Sequence, residues 1–142
     1  MKRTILAVLA AVAFVSGCSS AEAEPEPTLW QTYGDRLTDL KRDDCANLTT
    51  LSVDCSQSTD ARIALTSEVA KSLLSSDPKT DEINAAYVAA GYVHAAHQKY
   101  LDLTCPQFQS FTQLNQCGRY AWEVSDEFDA FVAKVAATEG ST

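Results

Sequence analysis

Hydrophobic residues recur with helical periodicity in four stretches of the chain, at about 29–44, 60–76, 80–104 and 119–137. In each stretch, apolar side chains three or four residues apart form one face, and most charged side chains lie on the other, as in an amphipathic helix. The clearest apolar face belongs to the fourth stretch and comprises Ala121, Val124, Phe128, Phe131, Val132 and Val135. The sequence contains no convincing strand pattern and no internal repeat. The pattern therefore predicts an all-α fold, an antiparallel four-helix bundle.

Residues that begin or end helices stand at the boundaries of these stretches. Thr28 and Thr80 are suited to cap the first and third helices, because a threonine hydroxyl can accept from a free backbone N–H. Pro78 follows the second stretch, and the residue before a proline avoids helical angles. Segment 45–59 is rich in Thr, Ser, Asn and Asp and predicts a loop. Segment 106–116 predicts a short helical turn over one end of the core.

The beginning of the chain has a different pattern. Basic residues at positions 2 and 3 precede an uncharged apolar run over 5–15, which is too short to span a bilayer as a stable helix and is typical of a secretory signal. The run ends in Val15-Ser16-Gly17-Cys18, which resembles the lipobox of bacterial lipoproteins. In that family the cysteine thiol is diacylated, and the signal peptide is removed just before the cysteine.

The resemblance implies that Cys18 is acylated, for example with palmitate, and becomes the first residue of the mature chain. It divides the chain into a signal peptide (1–17), an acidic, proline-containing tether (18–28) and a helical domain (29–138). Two or three acyl chains anchor a protein stably. We expect a protein held on the extracytoplasmic side of the cell membrane, or on the outer membrane if the envelope has two. The alternative is a soluble secreted protein with an incidental cysteine.

The remaining cysteines support export. Without Cys18 the chain has four, and an even number in an exported domain predicts disulfides. The local pairing, Cys45 with Cys55 and Cys105 with Cys117, is favoured because each pair would close a short connection between helices. Two other connectivities stay open. A zinc site is disfavoured, because neither a CxxC motif nor paired-histidine spacing accompanies these cysteines.

The charge balance excludes some partners. The whole chain carries −8, and removing 1–17 takes away two of the 11 basic residues and none of the 19 acidic ones, so the mature chain carries −10. Such a charge argues against binding nucleic acid and against lying flat on an anionic membrane. The excess of acidic over basic residues is explained better by solubility than by a dedicated acidic binding surface.

Little in the sequence indicates catalysis. It contains no nucleophile elbow, no phosphate-binding glycine loop and no HExxH motif, and we predict no cofactor. His94 and His97 are separated by one helical turn and are the candidate ligands if a metal is bound. His97 projects into the apolar face and His94 onto its flank, which favours two separately satisfied histidines over a metal site. A third ligand would have to come from another helix, and Glu68 of the second helix is the best candidate by residue type, but it projects towards solvent.

Two further features of the fourth helix have ordinary explanations. Four carboxylates lie close together in its sequence, but the geometry of a helix separates their side chains from one another. This favours a solvated face over an acid–base pair or a calcium site. Trp122 projects near the polar side, where it could anchor a partner, but packing against Phe108 beneath the Cys105–Cys117 connection is favoured. The acidic cluster comprises Glu123, Asp126, Glu127 and Asp129.

These observations predict a non-catalytic binding module of the cell envelope. It would contact the lipid bilayer through acylated Cys18 and an envelope protein or ligand through its helical domain. The alternative is a carrier of a metal ion or small ligand in the bundle interior near His97. An exposed apolar patch would favour the first function, and a polar cavity that reaches His97 would favour the second.

Overall fold

A computed structural model describes residues 27–41, 53–105 and 111–140. These residues form four α-helices and a closing 3-10 turn, with no strand among them, so the all-α prediction is confirmed over the described part of the chain. The elements are α1 (Leu29–Lys41), α2 (Val53–Ser75), α3 (Asp81–Asp102), α4 (Phe111–Ala137) and the turn Thr138–Gly140.

Contacts between helices show that neighbours run antiparallel. Near the start of α1 and the end of α2, the Tyr33 hydroxyl lies 2.8 Å from Ser72 Oγ. At the opposite ends of the same two helices, Arg62 donates to the carbonyl of Leu40. α3 contacts α2 through the pairs Ser67–His94 and Asp60–His97, and it contacts α4 through Lys99–Glu123 and, just beyond its end, Cys105–Cys117. In both cases the residue number rises along one helix as it falls along the other. The four described helices therefore form an up-down-up-down bundle.

Both predicted N-caps are confirmed. Thr28 Oγ1 accepts from the N–H of Gln31 at 3.1 Å, and Gln31 Oε1 accepts from the N–H of Thr28 at 3.0 Å. This reciprocal pair is a capping box, which satisfies two backbone donors at the start of α1. Thr80 Oγ1 accepts from the N–H of Ile83 at 3.2 Å, and the acidic residues at 81 and 82 favour the positive end of the α3 dipole.

The predicted start of α2 was wrong. We expected a loop over 45–59, yet α2 begins at Val53, and the last seven residues of the expected loop are helical. Ser58 and Thr59 are buried against the bundle, so packing against other helices stabilises a segment whose composition favours a loop. Residues 42–52 lie outside the described residues.

The predicted start of α4 was also wrong. The helix begins at Phe111 instead of 119, so the described part of the expected separate turn, 111–116, is the first turns of α4. Cys117 lies inside this helix and is fully buried, bonded to Cys105 at the end of α3. The disulfide predicted for this pair is confirmed. Its position shows that it joins the end of one helix to the body of the next.

The core lies between the four helices and is almost entirely apolar. At Gly34 of α1 a Cβ atom would lie 2.9 Å from the ring of Trp30, so a larger residue there would make that ring shift. Fully buried side chains come from every helix: Leu37 from α1, Val69 and Leu73 from α2, Val93 from α3, and Val124, Phe128, Phe131 and Val135 from α4.

Candidate functional site

The two histidines of α3 occupy different environments, as the helical projection predicted. His97 faces α2 and has only 15% of its side chain exposed. Its ring stacks on that of Tyr100, with centroids 6.2 Å apart. His94 is exposed, and its Nε2 lies 3.3 Å from Ser67 Oγ.

Asp60 of α2 faces His97, with its Oδ1 3.8 Å from His97 Nε2, too far for a hydrogen bond. His97 Nε2 is buried, and no described residue forms a hydrogen bond with it. Burial lowers the pKa of His97, and His94 lowers it further, while Asp60 acts in the opposite direction. The folded environment therefore favours the neutral imidazole.

These groups do not assemble into a metal site. Glu68, which the sequence offered as a third ligand, forms a two-bond pair with Arg36 of α1 at 2.7 and 2.8 Å, on the solvent side as projected. Across 27–41, 53–105 and 111–140, no three histidine, cysteine or acidic side chains lie close enough together to hold an ion. His94 also hydrogen-bonds away from His97.

The most distinctive surface lies on the solvent side of α3. We call it the outer face of α3 and define it by Tyr87, Val88, Gly91, Tyr92 and Ala95, all exposed. Val88 and Tyr92 are 54% and 59% exposed, a large fraction for apolar and aromatic side chains. Leu74 of α2, 56% exposed, extends the face across a groove of about 360 Å³ between the two helices. Scattered exposed apolar residues are ordinary, but neighbouring ones mark an interaction site.

Two properties distinguish this face. Between Glu82 and Lys99, α3 contains no charged residue, although the chain as a whole is acidic. Gly91 stands at the centre of the face, and a Cβ atom placed there would meet no atom within 4 Å. A glycine within a helix costs about 1 kcal/mol relative to alanine. Packing among the described residues does not explain why a glycine occupies this position.

Arg62 of α2 is a buried charged group that sequence reasoning missed. It is 1% exposed, and its Nε and Nη2 donate to the carbonyl of Leu40 at 3.2 and 2.9 Å. Its guanidinium lies 5.8 Å from the centroid of the Phe128 ring. The positive charge therefore stands near the negative end of the α1 dipole and holds α1 and α2 together. Its role is structural.

A second groove, of about 420 Å³, lies between α1 and α2 beside the Arg36–Glu68 pair. The hydrogen bonds that Arg36 donates to Glu68 lower the pKa of the Glu68 carboxyl group and raise the pKa of the Arg36 guanidinium. Both side chains are about half exposed. Because the two charges satisfy each other, they leave little unbalanced charge for a ligand.

The acidic residues of α4 do not converge. Glu123 pairs with Lys99 of α3, and Asp129 lies 4.0 Å from Lys41 of α1, so they serve different helices. Asp126 is exposed, as expected of a solvated face, but Glu127 and Asp129 are partly buried, and Asp129 Oδ1 is buried without a hydrogen-bond partner among the described residues. Trp122 is 48% exposed, more than the favoured packing arrangement implied. Its predicted partner, Phe108, lies outside the described residues.

Comparison with known proteins gives no match to a protein-family model, a curated protein or a solved structure. Of the described helices, none combines the length and apolarity needed to cross a bilayer. Cys18 and Cys45 lie outside the described residues, so lipidation and the Cys45–Cys55 bond stay predictions.

Sequence reasoning also missed the outer face of α3. The available signal was the stretch 83–98, which contains no charged residue. Because this stretch spans several helical turns, its uncharged residues occupy every side of the helix, and part of its apolar surface must face solvent. Asp60 gave no such signal, because its proximity to His97 depends on how α2 and α3 pack.

Proposed function

We propose that this protein is a lipid-anchored, extracytoplasmic binding module of the bacterial cell envelope, without catalytic activity. Acylated Cys18 holds the mature chain on the membrane, and the acidic tether over 18–28 lets the helical domain stand up to about 30 Å from the bilayer surface. The domain binds its partner through the outer face of α3.

The observation that carries this proposal is the exposed, uncharged character of that face. Aromatic side chains such as Tyr87 and Tyr92 supply large contact areas and are enriched at protein interfaces. Neither groove described above reaches His97. The exposed patch therefore supports binding at the surface over chemistry in the interior.

Photo-crosslinking in cells tests this function. A photoreactive phenylalanine analogue replaces Tyr92 in the full chain, and the control carries it at Ala133, exposed on α4. We expect protein adducts from position 92 and none from position 133 after irradiation. Equal adducts at both positions, or none at position 92, would reject the outer face of α3 as the binding surface.

We further propose a second disulfide, between Cys45 and Cys55. With the Cys105–Cys117 bond, it gives the two disulfide-closed connections that the sequence predicted. The favoured local pairing for the other two cysteines has been found between Cys105 and Cys117, which leaves Cys45 and Cys55 for each other. Non-reducing peptide mapping of the mature chain should recover a Cys45–Cys55 peptide. Recovery of both as free thiols would reject this bond.

The second candidate function is a metal carrier, favoured only by the unbonded Nε2 of His97 beside Asp60. Zinc, copper or nickel bound only by the folded state would raise the melting temperature of tag-free protein. We expect no rise with any of the three, because His94 hydrogen-bonds elsewhere. A rise in melting temperature at micromolar metal concentration, lost in both His94→Ala and His97→Ala, would make the carrier the better proposal.

A further inference from the structure

We propose that the groove between α2 and α3 binds an amphipathic carboxylate, of which a medium-chain fatty acid is the simplest example. The groove has a volume of about 360 Å³, which lies within the range of small-molecule sites. The inference goes beyond the proposed function, because it concerns a small ligand and requires no protein partner. It follows from the change from polar to apolar side chains along the groove and from a cation at its edge.

The groove is polar at one end and apolar at the other. Because α2 and α3 run antiparallel, Ser67 lies opposite His94 at the polar end, whereas Leu74 and Tyr87 line the apolar end. Between Ser67 and Leu74, α2 rises by about 10 Å. Three small residues line the groove between its ends: Ala70, Ala90 and Gly91. The groove therefore suits a ligand with one polar head and a short apolar tail.

Gly91 has a role in this site that packing does not give it. It lines the groove, and a Cβ atom added to it would meet no described atom within 4 Å. A side chain at this position would therefore stand free of the bundle and take up space that a ligand needs. Glycine lets a ligand approach the backbone of α3 closely.

Lys71 of α2 supplies a positive charge at the edge of the groove. It forms no hydrogen bond or ion pair with the residues that the structure describes. Glu68, one turn before it, accepts two hydrogen bonds from Arg36, so these three charges leave one positive charge unbalanced. On the other side of the groove, α3 has no charged residue between Glu82 and Lys99. An anionic head group would complement this charge.

The apolar end of the groove, at Leu74 and Tyr87, disfavours an anion. Three acidic residues lie beyond it, in the connection to α3 and in the first turn of that helix: Asp77, Asp81 and Glu82. Lys79 also lies there, but its ammonium group donates to the carbonyls of Leu73 and Leu74. The excess of negative charge therefore favours the apolar tail of a ligand at this end.

The polar end suits the carboxylate. Side chains on a helix lean towards its N-terminus, so Lys71 leans towards Ser67, whose Oγ lies 3.3 Å from His94 Nε2. Asp60 and Asp102 lie beyond this end, seven residues before Ser67 and eight residues after His94, about 10 and 12 Å away along their helices. Both separations exceed the Debye length of about 8 Å at physiological ionic strength, so these acids repel the head group weakly.

Calorimetric titration with three ligands that share an eight-carbon tail tests the site. The protein is the whole mature chain with Cys18→Ser, which carries no acyl group. We expect octanoate to bind at one site, and octanol and octylammonium to bind about tenfold more weakly, because they lack the negative charge. Absence of octanoate binding, or equal binding of all three ligands, would overturn the proposal.

A substitution at the cation tests its role. Lys71→Met should weaken octanoate binding by about tenfold and leave octanol binding unchanged, because methionine retains an unbranched apolar side chain but carries no ammonium group. Lys134→Met is the control at an exposed position of α4, and it should change neither affinity. Unchanged octanoate binding in Lys71→Met would reject the proposed site.

A substitution at Gly91 tests where the ligand lies. Gly91→Leu should weaken both octanoate and octanol by about tenfold or more, and it should melt no lower than the wild type, because the position is open and leucine favours helix. Ala133→Leu on α4 is the control and should bind both ligands normally.

The same variant distinguishes a small ligand from a protein in the groove. Unchanged octanoate binding in Gly91→Leu would overturn the proposal. If the photo-crosslinked adduct from position 92 were then lost in that variant, the groove would belong to the protein-binding surface, whether for another protein or for a second copy of this chain.

Discussion

At the scale of single residues, similar residue types have different roles in different surroundings. A Cβ atom at Gly34 would lie 2.9 Å from the Trp30 ring, whereas one at Gly91 would meet no described atom within 4 Å, so the described contacts give a packing reason for the first glycine only. Arg62 is buried and bonded to a helix end, whereas Arg36 is exposed and paired with Glu68. Two substitutions test such differences.

The first concerns His97, whose pKa is lowered by burial and by His94. An unfolded histidine has a pKa of about 6.5. The stability that the neutral ring contributes is therefore present above that pH, and it is lost as the pH falls through the lower folded value. We expect His97→Leu to melt close to the wild type at about pH 7.5 and to lose less stability than the wild type by about pH 5.

His94→Gln is the control for this measurement, because His94 is exposed and should leave most of the pH dependence in place. Parallel melting profiles for the wild type and His97→Leu would contradict the assignment.

The second concerns Arg62. Arg62→Met should lower the free energy of unfolding by about 1–3 kcal/mol, because the Leu40 carbonyl loses its donor and the cation–aromatic contact with Phe128 disappears. Urea unfolding measures this change. Arg119→Met, at an exposed position of α4, should stay within about 0.5 kcal/mol of the wild type. Equal effects of the two substitutions would contradict the structural role of Arg62.

At the scale of elements, α3 and α4 form a hairpin fixed at one end by the Cys105–Cys117 disulfide. The two cysteines are 12 residues apart in sequence, and both are buried. Gln113 Nε2 donates to the carbonyl of Leu103 at 2.8 Å, which caps the end of α3 from the first turns of α4. The connection is therefore held by a covalent bond and by polar contacts.

Removing this disulfide should destabilise the bundle. In the chain-entropy account, a closed loop of this length contributes roughly 2–3 kcal/mol. The double variant Cys105→Ala/Cys117→Ala should show that loss in urea unfolding without reductant, while its circular dichroism remains helical. A midpoint equal to that of the wild type would mean that helix packing alone fixes the hairpin.

At the scale of the whole molecule, anchoring and folding involve different parts of the chain. The proposed anchor, Cys18, is the first residue of the tether, whereas the packed helices begin at Leu29. Cys18→Ser should abolish incorporation of labelled fatty acid and release the protein from the membrane fraction, without changing the melting temperature of the helical domain. Labelled fatty acid in the variant, or none in the wild type, would refute the lipoprotein assignment.

The sequence by itself determined the class of fold and the residues that cap the first and third helices. Helical periodicity depends only on the spacing of apolar residues, so the four helices and the faces containing Leu37, Val93 and Phe128 were predictable. The caps at Thr28 and Thr80 were predictable for the same reason, because capping joins residues close in sequence.

Only the tertiary structure decided what depends on contacts between distant residues. The early starts of α2 and α4 required the burial of Thr59 and Cys117 against other helices, which local propensity does not encode. The proximity of Asp60 to His97 and the burial of Arg62 depend on how the helices pack side by side. The outer face of α3 became recognisable once the structure showed which side of an uncharged helix no other helix covers.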